Sequence, residues 1–112
     1  MNVRIEDQAL RFKMTEQELG QLSHAHCLHV KVNFFGKEFV VSVSPKGHDK
    51  NMALKLVQDQ DEVYLQLLIP PEIVQKLSDM GRSRAGVQQE VDGVSVSLQV
   101  DVREDSRKVV KR

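Results

Sequence analysis

The side chains best equipped for chemistry lie together in His24-Ala25-His26-Cys27-Leu28-His29. Three imidazoles and one thiol within six residues are the ligand types that zinc and copper take. On a β-strand, Cys27 and His29 share a face, about 6–7 Å apart along the chain. With Leu28 and Val30 turned toward a core, that face is the outer one. His24 or His26 would then add a ligand from the preceding turn. The spacing matches no structural zinc pattern, and the one further histidine is His48. The competing reading is a group of solvated histidines at a helix end, where a charged imidazole complements the helix dipole. His24, His26, Cys27 and His29 are therefore the candidate metal ligands, and metal binding is the alternative function.

Catalysis finds less support. A Cys27 nucleophile needs a base held in geometry that sequence neighbours rarely supply. The acidic groups Glu6-Asp7, Asp59/Asp61/Glu62 and Glu104-Asp105 fall in expected turns or the tail, where solvated carboxylates are ordinary. No GxxxxGK[ST] or GxGxxG phosphate loop occurs. No catalytic residue is assigned, the chain is read as not an enzyme, and no cofactor is expected.

The elements that would position these residues follow from alternation. A period of two runs through Val3/Ile5 and through Leu10/Phe12/Met14, with a turn at Asp7-Gln8. Thr15-Glu16-Gln17-Glu18 is a capping box, and Met14 with Leu19 forms a hydrophobic staple across it. A two-turn helix with Leu19 and Leu22 facing inward ends near His24. Strands follow at Leu28–Phe34 and Phe39–Val43 about a turn at Gly36. The run 44–51, SPKGHDKN, is a linker. Met52/Leu54/Leu56 and Val63–Ile69 flank a turn at Asp59-Gln60-Asp61. Pro70-Pro71 stops the strand, and Pro71 opens a second helix with Ile73, Val74 and Leu77 inward. Gly81 is its expected C-cap. A hairpin about Asp92-Gly93 closes the fold.

The order strand, strand, helix, strand, strand occurs twice. Met14, Thr15, Leu19 and Leu22 correspond to Ile69, Pro70, Val74 and Leu77 at an offset of 55, while Gly36 and Gly93 lie 57 apart. The extra two residues are assigned to a longer loop after the second helix. The expected fold is α+β: a mostly antiparallel eight-stranded barrel or sandwich with two short helices, built as a duplicated ββαββ unit. One domain covers 1–102, with pseudo-repeats 1–45 and 52–102, and 103–112 is read as a disordered basic tail. Two helices cannot cover both faces of a flat eight-stranded sheet, so the apolar faces must meet each other.

The chain has 112 residues, with 16 basic and 16 acidic side chains. Residues 1–102 carry eleven basic and fourteen acidic groups; 103–112 carry five and two. Arg107, Lys108, Lys111 and Arg112 therefore form a small basic arm, with Arg82 and Arg84 as a further patch. Such an arm supports only weak, salt-sensitive contact with nucleic acid, and aromatics make up 4% of the chain, too few for base stacking. The lone Cys27 cannot form an internal disulfide. Without an apolar run of about 18 residues or a signal-peptide pattern, a cytoplasmic protein with no membrane contact is expected. Val40, Val57 and Leu68 fall on the polar parity of their strands, which implies either cover by a helix or a patch for self-association.

The opening Val3-Arg4-Ile5, Leu10-Arg11-Phe12-Lys13-Met14-Thr15 and Glu18-Leu19 with Leu22 resembles a family of small uncharacterised bacterial proteins. Leu65-Gln66-Leu67-Leu68-Ile69-Pro70, a strand ending in proline before a helix, is similar to that family too. The resemblance lies mainly over residues 3–22 and implies a single bacterial cytoplasmic domain; no activity comes with it. The expected function is a small non-catalytic binding or protein-interaction module, with an unnamed protein or a second copy as partner.

Overall fold

A computed structural model describes residues 1–46, 50–80 and 86–101. The elements are β1 (Asn2–Glu6), β2 (Ala9–Thr15), α1 (Glu16–Ser23), β3 (Leu28–Phe34), β4 (Lys37–Ser44), β5 (Ala53–Gln58), β6 (Glu62–Leu68), α2 (Pro71–Met80), β7 (Val87–Val91) and β8 (Val94–Asp101). His48, Gly81, Arg82, Arg84 and the arm 103–112 lie outside the described residues.

The eight strands form two four-stranded sheets, not a closed barrel. Sheet I has the order β1-β2-β8-β7, and sheet II the order β3-β4-β6-β5. The four hairpin pairings are antiparallel, as tight turns require. The two central pairings, β2 with β8 and β4 with β6, are parallel. The result is an α+β arrangement of two mixed sheets. Each sheet takes one hairpin from the N-terminal half and one from the C-terminal half. Residues 1–45 therefore do not make a sheet of their own, and neither do 52–101.

The central registers are related by a constant shift. In sheet II, Val40 pairs with Tyr64, Val41 with Leu65 and Val43 with Leu67. Moving the first partner forward and the second back by 55 gives Ser95 with Ala9, Val96 with Leu10 and Leu98 with Phe12, all pairs of sheet I. The outer strands differ. Leu28 pairs with Val43, and Val87 with Leu98, so β3 and β7 are 59 apart while β4 and β8 are 55 apart. The 57-residue spacing of Gly36 and Gly93 thus has two sources. The connection after α2 is four residues longer, and the β7–β8 hairpin is four residues shorter than β3–β4.

One core receives both sheets and both helices. Leu10, Phe12, Met14, Val96, Leu98 and Val100 enter it from sheet I, and Val41, Val43 and Leu67 from sheet II. Leu19 and Leu22 of α1 and Ile73, Val74 and Leu77 of α2 are buried there as well, and the two helices pack on each other. Burial of each large apolar side chain stabilises the fold by about 1.5–3 kcal/mol. Ser23 Oγ donates to the Leu19 carbonyl and Ser78 Oγ to the Val74 carbonyl, each at 3.1 Å. These two bonds also stand 55 residues apart.

The first helix is capped as its sequence predicts. Glu18 N–H donates to Thr15 Oγ1 at 3.1 Å, and Thr15 N–H donates back to Glu18 Oε1 at 2.9 Å. The Met1 ammonium donates to Glu18 Oε2 at 2.5 Å. In α2, where proline replaces the capping hydroxyl, the Pro70 carbonyl accepts from Ile73 N–H at 3.0 Å.

Three predictions follow from this packing and from the helix cap. Gly86 has a φ of +67°, and a Cβ there would stand 2.1 Å from the Leu98 carbonyl oxygen in β8. Gly86→Ala should destabilise by more than about 2 kcal/mol, measured by urea unfolding. Gly20, on α1, has no such neighbour within 4 Å, and Gly20→Ala should stabilise by roughly 0.5–1 kcal/mol. Burial pushes the Glu18 carboxyl up, but the Met1 ammonium and the Thr15 N–H and hydroxyl outweigh it and hold the pKa below its ordinary 4.5. A depressed carboxyl stabilises the fold above its unfolded pKa and loses that contribution as pH falls through the folded value. Wild type should therefore lose stability as acid takes the solution below 4.5, and Glu18→Gln should flatten that limb of the curve.

Candidate interaction surface

Sheet II runs past sheet I at one end. Ile5 pairs with Leu10 beside the β1–β2 turn, and Leu56 pairs with Leu65 at the matching place. Only 6–9 connect the first pair, against 57–64 for the second. The β3–β4 hairpin is longer too: 33–38 stand where β7–β8 has Asp92-Gly93. Both turn ends of sheet II therefore reach two residue pairs further than their sheet I counterparts, about 7 Å. Glu38 N–H donates to the Asp61 carbonyl at 2.8 Å and ties the two extensions together.

One face of this overhang is apolar. Alternation turns Val30, Val32, Phe39, Val41, Val63, Leu65 and Leu56 to the side that buries Val43 and Leu67. Register places Val30, Val41, Leu65 and Leu56 in one row, and Val32, Phe39 and Val63 in the next. Nearer the helices this face is core. At the turn end sheet I stops short, and Val32, Phe34 and Leu56 are more than half exposed. Phe35 is 95% exposed, and its ring meets that of Phe34 edge-on with centroids 5.9 Å apart.

Phe35 is also strained. It has a φ of +53° and Gly36 a φ of +72°, the paired positive values of a primed hairpin turn. Asn or Asp suits the first position of such a turn because a short polar side chain tolerates it. The β7–β8 turn follows the rule, with Asp92 at +50° and Gly93 at +80°. A bulky aromatic in the same conformation is an outlier, and such outliers gather at functional sites.

Carboxylates gather on the other face of this end, because Glu38 and Glu62 pair with each other next to the Phe39–Val63 pair and so alternate away from it. Asn33, Gly36, Glu38, Asp59, Gln60, Asp61 and Glu62 line an open concavity of about 630 Å³, all of them in the two extensions. Asp59 Oδ1 accepts from the N–H groups of Asp61 and Glu62 at 3.0 and 2.9 Å and holds the turn. Glu38 lies 3.6 Å from Lys31 Nζ.

The histidine and cysteine residues disperse. His24 caps α1, with Nδ1 2.8 Å from the Gly20 carbonyl oxygen. His26 N–H donates to the Gln21 carbonyl at 2.9 Å, which closes the turn. Cys27 Sγ lies 3.3 Å from Ser44 Oγ, which accepts from Gln66 Nε2 at 2.9 Å. His29 sits on β3 opposite Ser42, whose buried hydroxyl has no hydrogen-bond partner among the described residues. Among the described residues, no three His, Cys, Asp or Glu side chains converge as metal ligands. Val40, Val57 and Leu68 do share the outer parity of sheet II. Val40 is buried yet outside the main core, Leu68 is half-buried and Val57 is 55% exposed.

Alternation alone did not single out Val32, Phe34 and Leu56, because it assigns their parity to the core, and Phe35 lies in the turn between the strands. A readable signal was present: Phe35-Gly36 occupies a hairpin turn where Asn-Gly is expected.

The fold and this surface define a small two-sheet α+β protein with an exposed apolar end on sheet II. The chain belongs to a family of unknown function, DUF7009, whose model matches residues 1–106. The family match thus extends far beyond the opening 22 residues. No curated protein and no solved structure matches the chain. No helix among the described residues is long and apolar enough to cross a membrane.

Relief of the strained turn is directly measurable. Phe35→Asn should raise stability by about 1 kcal/mol, read as a higher urea midpoint at unchanged slope.

Proposed function

We propose that this protein is a non-catalytic interaction module. Its scaffold is a duplicated ββαββ unit, and its working surface is the part of sheet II that has no counterpart in sheet I. The constant 55-residue relation between the central registers supports the duplication. The observation that carries the function is Phe35: an aromatic ring 95% exposed, at a backbone position that disfavours it. Neither folding nor solubility gains from phenylalanine there. Contact with a partner does, since aromatic side chains dominate the energetics of docked surfaces. Val32, Phe34 and Leu56 continue the same patch, and exposed clusters of this kind mark interaction sites.

The test places a photo-crosslinking amino acid at position 35, and separately at position 90 on the exposed polar side of sheet I. The protein is made in its own host and irradiated. Position 35 should yield several-fold more protein adducts than position 90. Equal yields at the two positions would overturn the proposal.

A further inference from the structure

The face of sheet I turned away from the core gathers positive charge at one place. Phe12 and Met14 are buried in the core, so Arg11 and Lys13 alternate to the other side. Register sets Arg4 of β1 directly opposite Arg11, and sets Asn2 and Gln99 on either side of Lys13. Arg4 and Lys13 are diagonal neighbours across the β1–β2 pair, about 7–8 Å apart. Asn2, Arg4, Arg11, Lys13 and Gln99, with Phe12 between them, line an open pocket of about 70 Å³.

Like charges directly opposite on paired strands destabilise a sheet, and little here offsets that. Glu6 Oε1 accepts from Arg11 Nε at 3.0 Å, which leaves the two terminal nitrogens of the guanidinium for other contacts. Among the described residues, Arg4 and Lys13 have no carboxylate partner. Asp101 shares this face one row further along, opposite Thr15. Around the pocket itself, three cations against one paired carboxylate leave an excess of two positive charges.

The scaffold does not require this arrangement. At the places in sheet II related by 55 residues, Lys55 stands opposite Gln66, and Ala53 and Ser44 stand on either side of Leu68. Gln66 Nε2 there donates to Ser44 Oγ at 2.9 Å. One cation occupies the region where sheet I has three, and the strands pair in the same register.

We propose that Arg4, Arg11 and Lys13 bind the phosphate group of a small ligand on the outer face of sheet I. A phosphate dianion matches the excess charge, and the pocket has room for one such group. Each arginine fork offers paired N–H donors to two oxygens, and lysine adds a point charge. Binding of a nucleic-acid strand uses a groove of cations along the backbone with aromatic platforms for the bases. Here the cations converge on a single pocket, and no aromatic side chain among the described residues lies on this face. The site is on the opposite sheet from the apolar end of sheet II and stands independently of it.

Thermal melts and phosphorus NMR on the full chain test the proposal, with circular dichroism to establish that each variant is folded. In sodium chloride, Arg4→Gln and Lys13→Gln should melt no lower than wild type, because each removes a like-charged neighbour. Inorganic phosphate at matched ionic strength, which removes screening as a cause, should raise the wild-type midpoint by several degrees and that of each variant by less. General stabilisation by phosphate acts on all of these proteins alike, so the difference between them reports the site. The phosphate resonance should broaden with wild type, and titration should show about tenfold weaker binding to each variant. Lys55→Gln, at the related place in sheet II, should bind phosphate as wild type does. Glycerol phosphate separates two sources of the same chemistry: binding at least as tight as that of inorganic phosphate assigns the site to the phosphate group of a larger molecule, and binding of inorganic phosphate alone assigns it to the free ion. A wild type that neither broadens the resonance nor gains more from phosphate than the two variants would overturn the proposal, as would binding left unchanged by both substitutions.

Discussion

The rest of the structure depends on the parallel pairing of β2 with β8 and of β4 with β6. A parallel pair cannot be made by a tight turn and must be closed by a long excursion of the chain. Here Leu10 and Val96 are brought side by side from opposite ends of the sequence. The loop-closure cost of such a contact rises only slowly with length, but the contact gives nothing until most of the chain is in place. The second parallel pair closes a shorter loop, from Val41 to Leu65. The two closures interlock: neither half has a complete sheet without the other. Phe12, Leu98, Val43 and Leu67, which lie on these central strands, are among the most buried residues.

The helices act through this arrangement. Each follows the inner strand of a hairpin, β2 or β6, and each leads to the next hairpin, which joins the opposite sheet. Their packing on one another therefore couples the ends of the two sheets. The hydroxyls of Ser23 and Ser78 return to carbonyls four residues earlier on both helices. Such bonds satisfy side chains that would otherwise compete for backbone groups.

Against this near-equivalence the differences are local. Four extra residues in the β3–β4 hairpin and four in the β5–β6 connection carry the exposed phenylalanines and the clustered acids. Strand edges and apolar ends are usually blunted by charge because they invite unwanted pairing. Glu38 and Glu62 place charge on the outer face of this end, while the inner face stays apolar.

Strands, helices and turns were legible because their causes are local. Alternation marked the core residues of β2, β4, β6 and β8; Thr15 and Glu18 marked the capping box; Pro71 marked the start of α2; Asp92-Gly93 marked a hairpin. The burial of Leu19, Leu22, Val74 and Leu77 was readable for the same reason. The partner of each hairpin was not, because parallel neighbours carry no shared turn and no compositional mark. Two mixed sheets rather than a barrel came from that long-range choice. The exposed apolar end of sheet II was hidden for a related reason. Alternation tells which side of a strand is apolar, but whether another layer covers that side depends on how far the opposing sheet extends. Val32 and Val43 have the same parity on neighbouring strands; one is half exposed and the other fully buried, because sheet I ends between them.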